Sequence, residues 1–315
     1  MMQIYRTKKD TEPTVTEVVD TVQEGCWIRL TCPTEAELVQ VAESHRLPLD
    51  FLKAALDEEE RPRIDAEDNV VLIVLDVPIV TEYEEIKTLT TLPLGIIISG
   101  TLIVTVCNRQ TQILDDFIAG KVRHFHIAKK TRFLFQIFYR NASSYLHHLR
   151  QIERSISRIE VELHRSMKNE ELFQMMELEK SLIYFSTSLK SNEGVLERVL
   201  RTKPLKMYDD DAEFLEDVII ENKQAMEMSQ IYLHILNGMT QAFATIISNN
   251  LNIVMKFLAS ATIIIAIPTM IASFYGMNVV DLPLKDTPLA FELIFMFSVI
   301  ISVVLGLFMW RKRFF

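Results

Sequence analysis

Residues Phe257 to Asn278 read FLASATIIIAIPTMIASFYGMN, a stretch without a charged side chain that limits what the rest of the chain can be. As a helix, the 18 residues from Phe257 to Phe274 rise about 1.5 Å each, enough to cross most of a bilayer core. One such run also suits a buried helix of a soluble domain. A second uncharged run follows, Leu293 to Trp310, with Glu292 before it and Arg311, Lys312 and Arg313 after it. Two consecutive runs favour a pair of membrane spans.

The first span carries more pattern than a lipid anchor needs. Steps of three and four from Asn252 reach Met255, Ala259, Thr262, Ala266, Thr269 and Ser273, a stripe of mostly small or weakly polar side chains. Between them lie Phe257, Ile263, Ile264, Ile265, Ile267, Met270, Ile271 and Phe274. The stripe is either a seam for tight helix packing in lipid or the wall of a water-filled path made by several copies. Backwards it continues through Ser248, Thr245, Gln241, Gly238 and His234, increasingly polar where the helix leaves the membrane, which favours a lumen.

The span ends in Tyr275-Gly276-Met277-Asn278. Gly276 has access to dihedrals closed to other residues and is expected to end the helix with its carbonyls turned outward, and Asn278 adds an amide oxygen. Neutral oxygens in a ring suit a hard cation that keeps its water, as magnesium does.

On these residues the chain resembles the CorA family of divalent-cation transporters, whose hallmark is YGMN at the outer end of the first of two C-terminal spans. The resemblance runs upstream through NIVMKFLASATIIIAIPTMIASFYGMN and extends to ALDEEERPRID and LPLGIIISGTLIVTV near the other end. It implies a funnel-shaped homopentamer with a large cytoplasmic domain, the first span lining the pore and the second facing lipid. It also implies a selectivity filter at Gly276, Met277 and Asn278, with Asn278 contacting the hydrated ion. Met255 and Leu258 are expected to form a hydrophobic gate; Leu258 sits one step off the stripe, so its place rests more on the family pattern than on periodicity.

The same resemblance implies feedback, since cytoplasmic magnesium bound between subunits by paired acids holds such pores shut. Counting back along the helix from Asn252 and Met255 puts Asp217 on one of those acids. Its usual partner aligns near Ala54, which cannot bind metal, leaving Asp50 or Asp57 as substitutes. The family often carries Met-Pro-Glu after YGMN, whereas here Val279 to Leu284 reads VVDLPL, so Asp281, Asp286 and Glu292 are what remains to attract cations.

At 315 residues, 49% hydrophobic and 24% charged, the chain has room for a polar domain of more than 200 residues before the spans. A net charge of −9 argues against a nucleic-acid partner and for a surface that concentrates cations. Cys26, Cys32 and Cys107 lack metal-type spacing and read as small core residues of a reducing compartment. The start, MMQIYRTKKDTEPT, has no apolar core of a signal peptide. With the basic cluster after the second span, both termini are expected in the cytoplasm of a multi-pass protein of the plasma or inner membrane.

In order, residues 1–120 read as an α/β domain. Trp27 to Leu30 predicts a strand, Thr34 with Glu37 a capping box for a helix through Ser44, and Leu49 to Glu59 a second helix ended by Arg61-Pro62. Val70 to Val77, Ile86 to Leu92, Gly95 to Ile98 and Leu102 to Val106 predict strands. Residues 121–208 form a helical region, with helices over Lys129 to Arg165, Asn169 to Leu189 and Asn192 to Leu200. Residues 209–278 are a stalk helix and first span, roughly 100 Å long if unbroken, with a membrane part of about 257–277 and a kink at Pro268. Residues 279–289 form the outer loop, and 290–315 the second span and basic tail.

Eight glycines offer no phosphate-cradling loop, so no organic cofactor and no enzyme activity are expected. His124-x-His126 and His147-His148 lack an acidic or cysteine partner at ligand spacing and read as surface or helix-face histidines. The acids at 57–60, 209–211, 213, 216, 217 and 221 are, apart from the resemblance, solvated faces. The sequence thus points to passive, potential-driven magnesium transport through a pore of several copies. Cobalt, nickel or zinc is the alternative cargo, and a non-transporting membrane-anchored interaction protein the alternative class.

Overall fold

The computed structural model describes residues 1–7, 16–19, 21–83, 86–100, 102–165, 169–277, 282–284 and 287–312. They fall into two compact units, Met1–Asn237 and Gly238–Phe315.

The first unit is built on a seven-stranded sheet: β1 (Met2–Thr7), β2 (Thr16–Val18), β3 (Trp27–Thr31), β4 (Arg63–Glu67), β5 (Val70–Tyr83), β6 (Ile86–Ser99) and β7 (Leu102–Cys107). The spatial order is β2-β1-β3-β7-β6-β5-β4, and every pairing is antiparallel except β3 with β7. Both faces of the central strands are covered, which is why those strands read as continuous apolar runs. Alternation still sorts them: Val71, Ile73 and Leu75 point to one core, Val70, Leu72 and Val74 to the other.

One face packs on α1 (Glu35–His45) and α2 (Leu49–Ala54); the other packs on α3 (Gln112–Ile118), α4 (Lys130–Arg165), α5 (Asn169–Thr202) and the start of α6 (Asp209–Tyr275). The Thr34 capping box is formed, with each partner bonding the other's backbone. Gly95 is required by packing, because a Cβ there would stand 2.8 Å from the Ala55 Cβ.

Several sequence expectations are corrected. The second helix stops at Ala54 rather than Glu59, and Asp57 instead accepts from the Glu59 N–H in a turn. Four successive acids are unfavourable at the negative end of a helix. The two runs around Pro93 form one strand, β6. β7 pairs with β6 only from Leu94 onward and β4 with β5 only as far as Val74, so Pro93 and Pro78 lie in a two-stranded ribbon, where a missing N–H breaks no ladder. The break placed at residues 190–191 is absent, and α5 runs through it. Asn192 there is buried and bonds both the N–H and the C=O of Asp76. β1, β2, β4 and α3 were not foreseen, being short or of mixed polarity.

Around Asp76 the ribbon is tied to α4 and α5. Its carbonyl accepts from Asn141, Tyr145 and Asn192, and its carboxylate from the Ser188 hydroxyl at 2.6 Å. Burial raises the Asp76 carboxyl above the ordinary range, only partly offset by the Ser188 bond. The Tyr145 phenol is pushed well up by its own burial and by the nearby carboxylate.

Candidate functional site

In the second unit, α6 and α7 (Ala290–Arg311) are both long and apolar enough to cross a membrane. They pack antiparallel, Ile264 meeting Ser302 and Gly306 while Ile271 shares a lining with Phe297 and Ile300. The contact uses small residues at four-residue spacing on α7: Ser298 is buried, Ser302 reaches the Ile264 carbonyl at 3.4 Å, and Gly306 leaves ordinary van der Waals room for Ile264. The Ser-Gly ridge is unforeseen from the uncharged run alone and becomes visible in the sequence only at steps of four along it, Ser298, Ser302 and Gly306. Pro268 lies inside the continuous α6.

At about 100° per residue, Ile264 and Ile271 sit roughly half a turn from Thr262, Ala266, Thr269 and Ser273. The stripe is therefore not the seam between the two spans. Asn252, Met255, Ala259, Thr262, Ala266, Thr269 and Ser273 are all exposed in the chain, as is Leu258, whereas Ile264, Ile267, Pro268 and Ile271 are half-buried. A groove of about 650 Å³ is lined by Thr262, Ala266, Thr269 and Ser273 together with Ile265, Met270 and Phe274. The Thr262 hydroxyl donates to the Leu258 carbonyl at 2.8 Å and Thr269 to Ile265 at 2.9 Å. Their protons are satisfied by the helix itself, and the oxygen lone pairs remain free to face a polar species.

At the far end of α6, the Gly276 N–H bonds the Ala272 and Ser273 carbonyls, and Met277 bonds Phe274. Gly276 is not in the left-handed region, and a Cβ would meet the Ala272 and Ser273 carbonyl oxygens only at 3.5 Å. The expectation that it ends the helix through special dihedrals is thus corrected: the turn tightens without them, both carbonyls accepting from the Gly276 N–H. Met277 is exposed, and the Tyr275 hydroxyl donates to the Pro283 carbonyl at 2.9 Å. Asn278, Asp281 and Asp286 lie outside the described residues. Glu292 is exposed in the first turn of α7, where a carboxylate is favoured by the helix dipole.

In the first unit, Asp217 is exposed on α6, between the buried Leu215 and Val218. Ala54 is buried in the core between α2 and the sheet, and Asp50 and Asp57 face solvent. Among the described residues no group of three or more His, Cys, Asp or Glu side chains is disposed to hold a metal ion, so one chain alone does not assemble a site around Asp217. His147 and His148 both meet Gln151, and burial beside Phe185 lowers the His148 pKa.

The family model described as CorA-like Mg2+ transporter protein matches residues 22–313. A cobalt/magnesium transport protein CorA from Methanocaldococcus jannaschii is 28% identical over 305 residues, covering 93% of this chain and 92% of its own. One of the same name from Thermotoga maritima is 21% identical over 292 residues, covering 91% and 82%. The complete structure of the CorA magnesium transporter from Methanocaldococcus jannaschii superposes with a TM-score of 0.85 at 25% identity, covering 100% of this chain and 99% of that one. With the α/β unit, the long α6 and the paired apolar helices in the same order, the chain belongs to the CorA-like Mg2+ transporter family.

Proposed function

We propose that the protein transports divalent cations, magnesium first, across a membrane through a path lined by the Asn252 to Ser273 stripe of several α6 copies. The observation that carries this is the exposure of Thr262, Ala266, Thr269 and Ser273 on the side of α6 away from α7, with both threonine protons already bonded to backbone. A helix that used this stripe to hold α7 would bury it.

Five copies around an axis, as the family resemblance implies, convert one weakly polar stripe into a closed wall. Gly276, Met277 and Asn278 sit at its outer mouth, while Met255 and Leu258 form an apolar ring that stops ions by dewetting. The α/β unit and both termini lie in the cytoplasm, a funnel of five such units serving the pore. Transport is passive, since an inside-negative potential supplies about 2.3 kcal/mol per charge per 100 mV, doubled for a divalent ion. No organic cofactor takes part. Cytoplasmic magnesium held at Asp217 between subunits favours the closed state.

Cobalt is the second cargo to test, because the relatives carry both metals in their names. Purified protein in liposomes loaded with a magnesium-sensitive dye is expected to admit magnesium when an inside-negative potential is imposed. A dye signal equal to that of protein-free liposomes for both magnesium and cobalt overturns the transport reading.

A further inference from the structure

A cavity of about 590 Å³ lies between α5, the β5–β6 ribbon and the loop from α2 to β4, within the first unit. It lies apart from the stripe and the YGMN run. At its back stands the Asp76 carboxylate, whose Oδ2 accepts from Ser188. The Ser188 hydroxyl is in turn 3.0 Å from that of Thr91. Among the described residues Asp76 has no ion-pair partner. One wall is apolar and aromatic, Ile183 and Tyr184, both substantially exposed to the cavity side and solvent. The rim carries Glu58, Glu59 and Glu60 against Arg61. Glu60 is paired with Arg63, and Glu58 accepts from Asn108.

This arrangement has an order: a deep, half-desolvated carboxylate with a hydroxyl chain, then an apolar and aromatic wall, then an acidic rim. A metal ion is a poor fit. Magnesium demands near-octahedral oxygen ligation and keeps its water, so the Ile183 and Tyr184 wall gives a hydrated ion nothing, and a single deep carboxylate with one oxygen already engaged gives a bare ion too little. An alkylammonium uses all three zones. Its terminal N–H groups meet Asp76 and a hydroxyl oxygen, its methylenes cover Ile183 and the Tyr184 ring, and a second ammonium reaches the rim.

We infer that this cavity binds an aliphatic diamine or polyamine, with Asp76 as the anchor for one ammonium group. Burial has already raised the Asp76 carboxyl, and a bound ammonium reverses that shift by giving the charged form a partner.

The test is calorimetric titration of the full-length, detergent-solubilised protein with putrescine and spermidine, without and with magnesium. Saturable binding at one ligand per chain is expected. Asp76→Asn should weaken it at least about tenfold, the loss expected when a charge-assisted hydrogen bond is removed. Should Asp76→Asn fail to fold, Tyr184→Ala carries the test, since Tyr184 is 40% exposed and its removal leaves no buried hole. It is expected to weaken spermidine severalfold while leaving magnesium binding unchanged. Polyamine binding that is indifferent to both changes is attraction to the acidic surface and overturns the proposal. So does a site that takes magnesium and loses it on Asp76→Asn while ignoring both amines.

Discussion

The Tyr275 hydroxyl donates to the Pro283 carbonyl oxygen at 2.9 Å, tying the last residue of α6 to the turn that precedes α7. The tyrosine of the YGMN run is thus a strut that sets where the chain leaves the first span, next to the Ala272 and Ser273 carbonyls that accept from the Gly276 N–H.

Tyr275→Phe removes that bond and keeps the ring. A loss of about 1 kcal/mol is expected, the net worth of one hydrogen bond, together with slower magnesium uptake because the mouth is less fixed. Thermal unfolding and liposome flux measure the two effects; a variant with wild-type values in both shows that Pro283 does not hold the mouth.

Asn278→Ala should abolish magnesium uptake while leaving the oligomer intact on size-exclusion chromatography. Wild-type flux in the variant removes Asn278 from the filter.

Met255→Ser and Leu258→Ser each place a hydroxyl on the exposed face at the start of the span, where Met255 is 58% and Leu258 53% exposed in the single chain. Wetting that ring should raise current under closing conditions severalfold or more. Unchanged closed-state current in both places the gate elsewhere.

Asp217→Ala separates ligand from bystander. Carboxylates gathered at a subunit interface repel, and a bound divalent ion turns repulsion into a crosslink. Removing the ligand should leave currents insensitive to internal magnesium, measured by patch-clamp titration. An unshifted magnesium response makes Asp217 a solvated acid of the helix face.

Asp76→Asn tests the half-buried carboxyl through pH. The folded-state value of Asp76 is raised, so the folded protein holds this proton more tightly than the unfolded chain. Its contribution to stability is full below the ordinary aspartate value of about 3.9 and is lost as pH rises through the raised folded value. The difference in melting temperature between wild type and Asp76→Asn should therefore change across that window, the wild type losing ground as pH rises. A difference that stays constant from pH 4 to 7 shows that Asp76 titrates as it does in the unfolded chain.

Much of this was legible in the residues. The absence of charge from Phe257 to Phe274 and from Leu293 to Trp310 required two apolar helices, because a run that long without charge has one dominant way to satisfy its backbone away from water. Thr34 with Glu37 announced its helix because both halves of that cap are local. The alternation of Val70 to Leu75 announced a two-faced strand for the same reason.

Tertiary structure decided the rest. The sequence could not choose between a stripe that holds α7 and one that faces away from it, since both satisfy the same period. The choice was made by Ser298, Ser302 and Gly306, which give Ile264 and Ile271 the closer approach and leave Thr262, Ala266, Thr269 and Ser273 uncovered. Pro93 looked like a strand end because its missing N–H matters only where a neighbouring strand would receive it, and which neighbours reach it depends on the lengths of β4 and β7. Asp76 reads as an isolated acid in an apolar run; its partners lie 65 to 116 residues away in sequence, at Asn141, Tyr145, Ser188 and Asn192, and no local pattern brings them together.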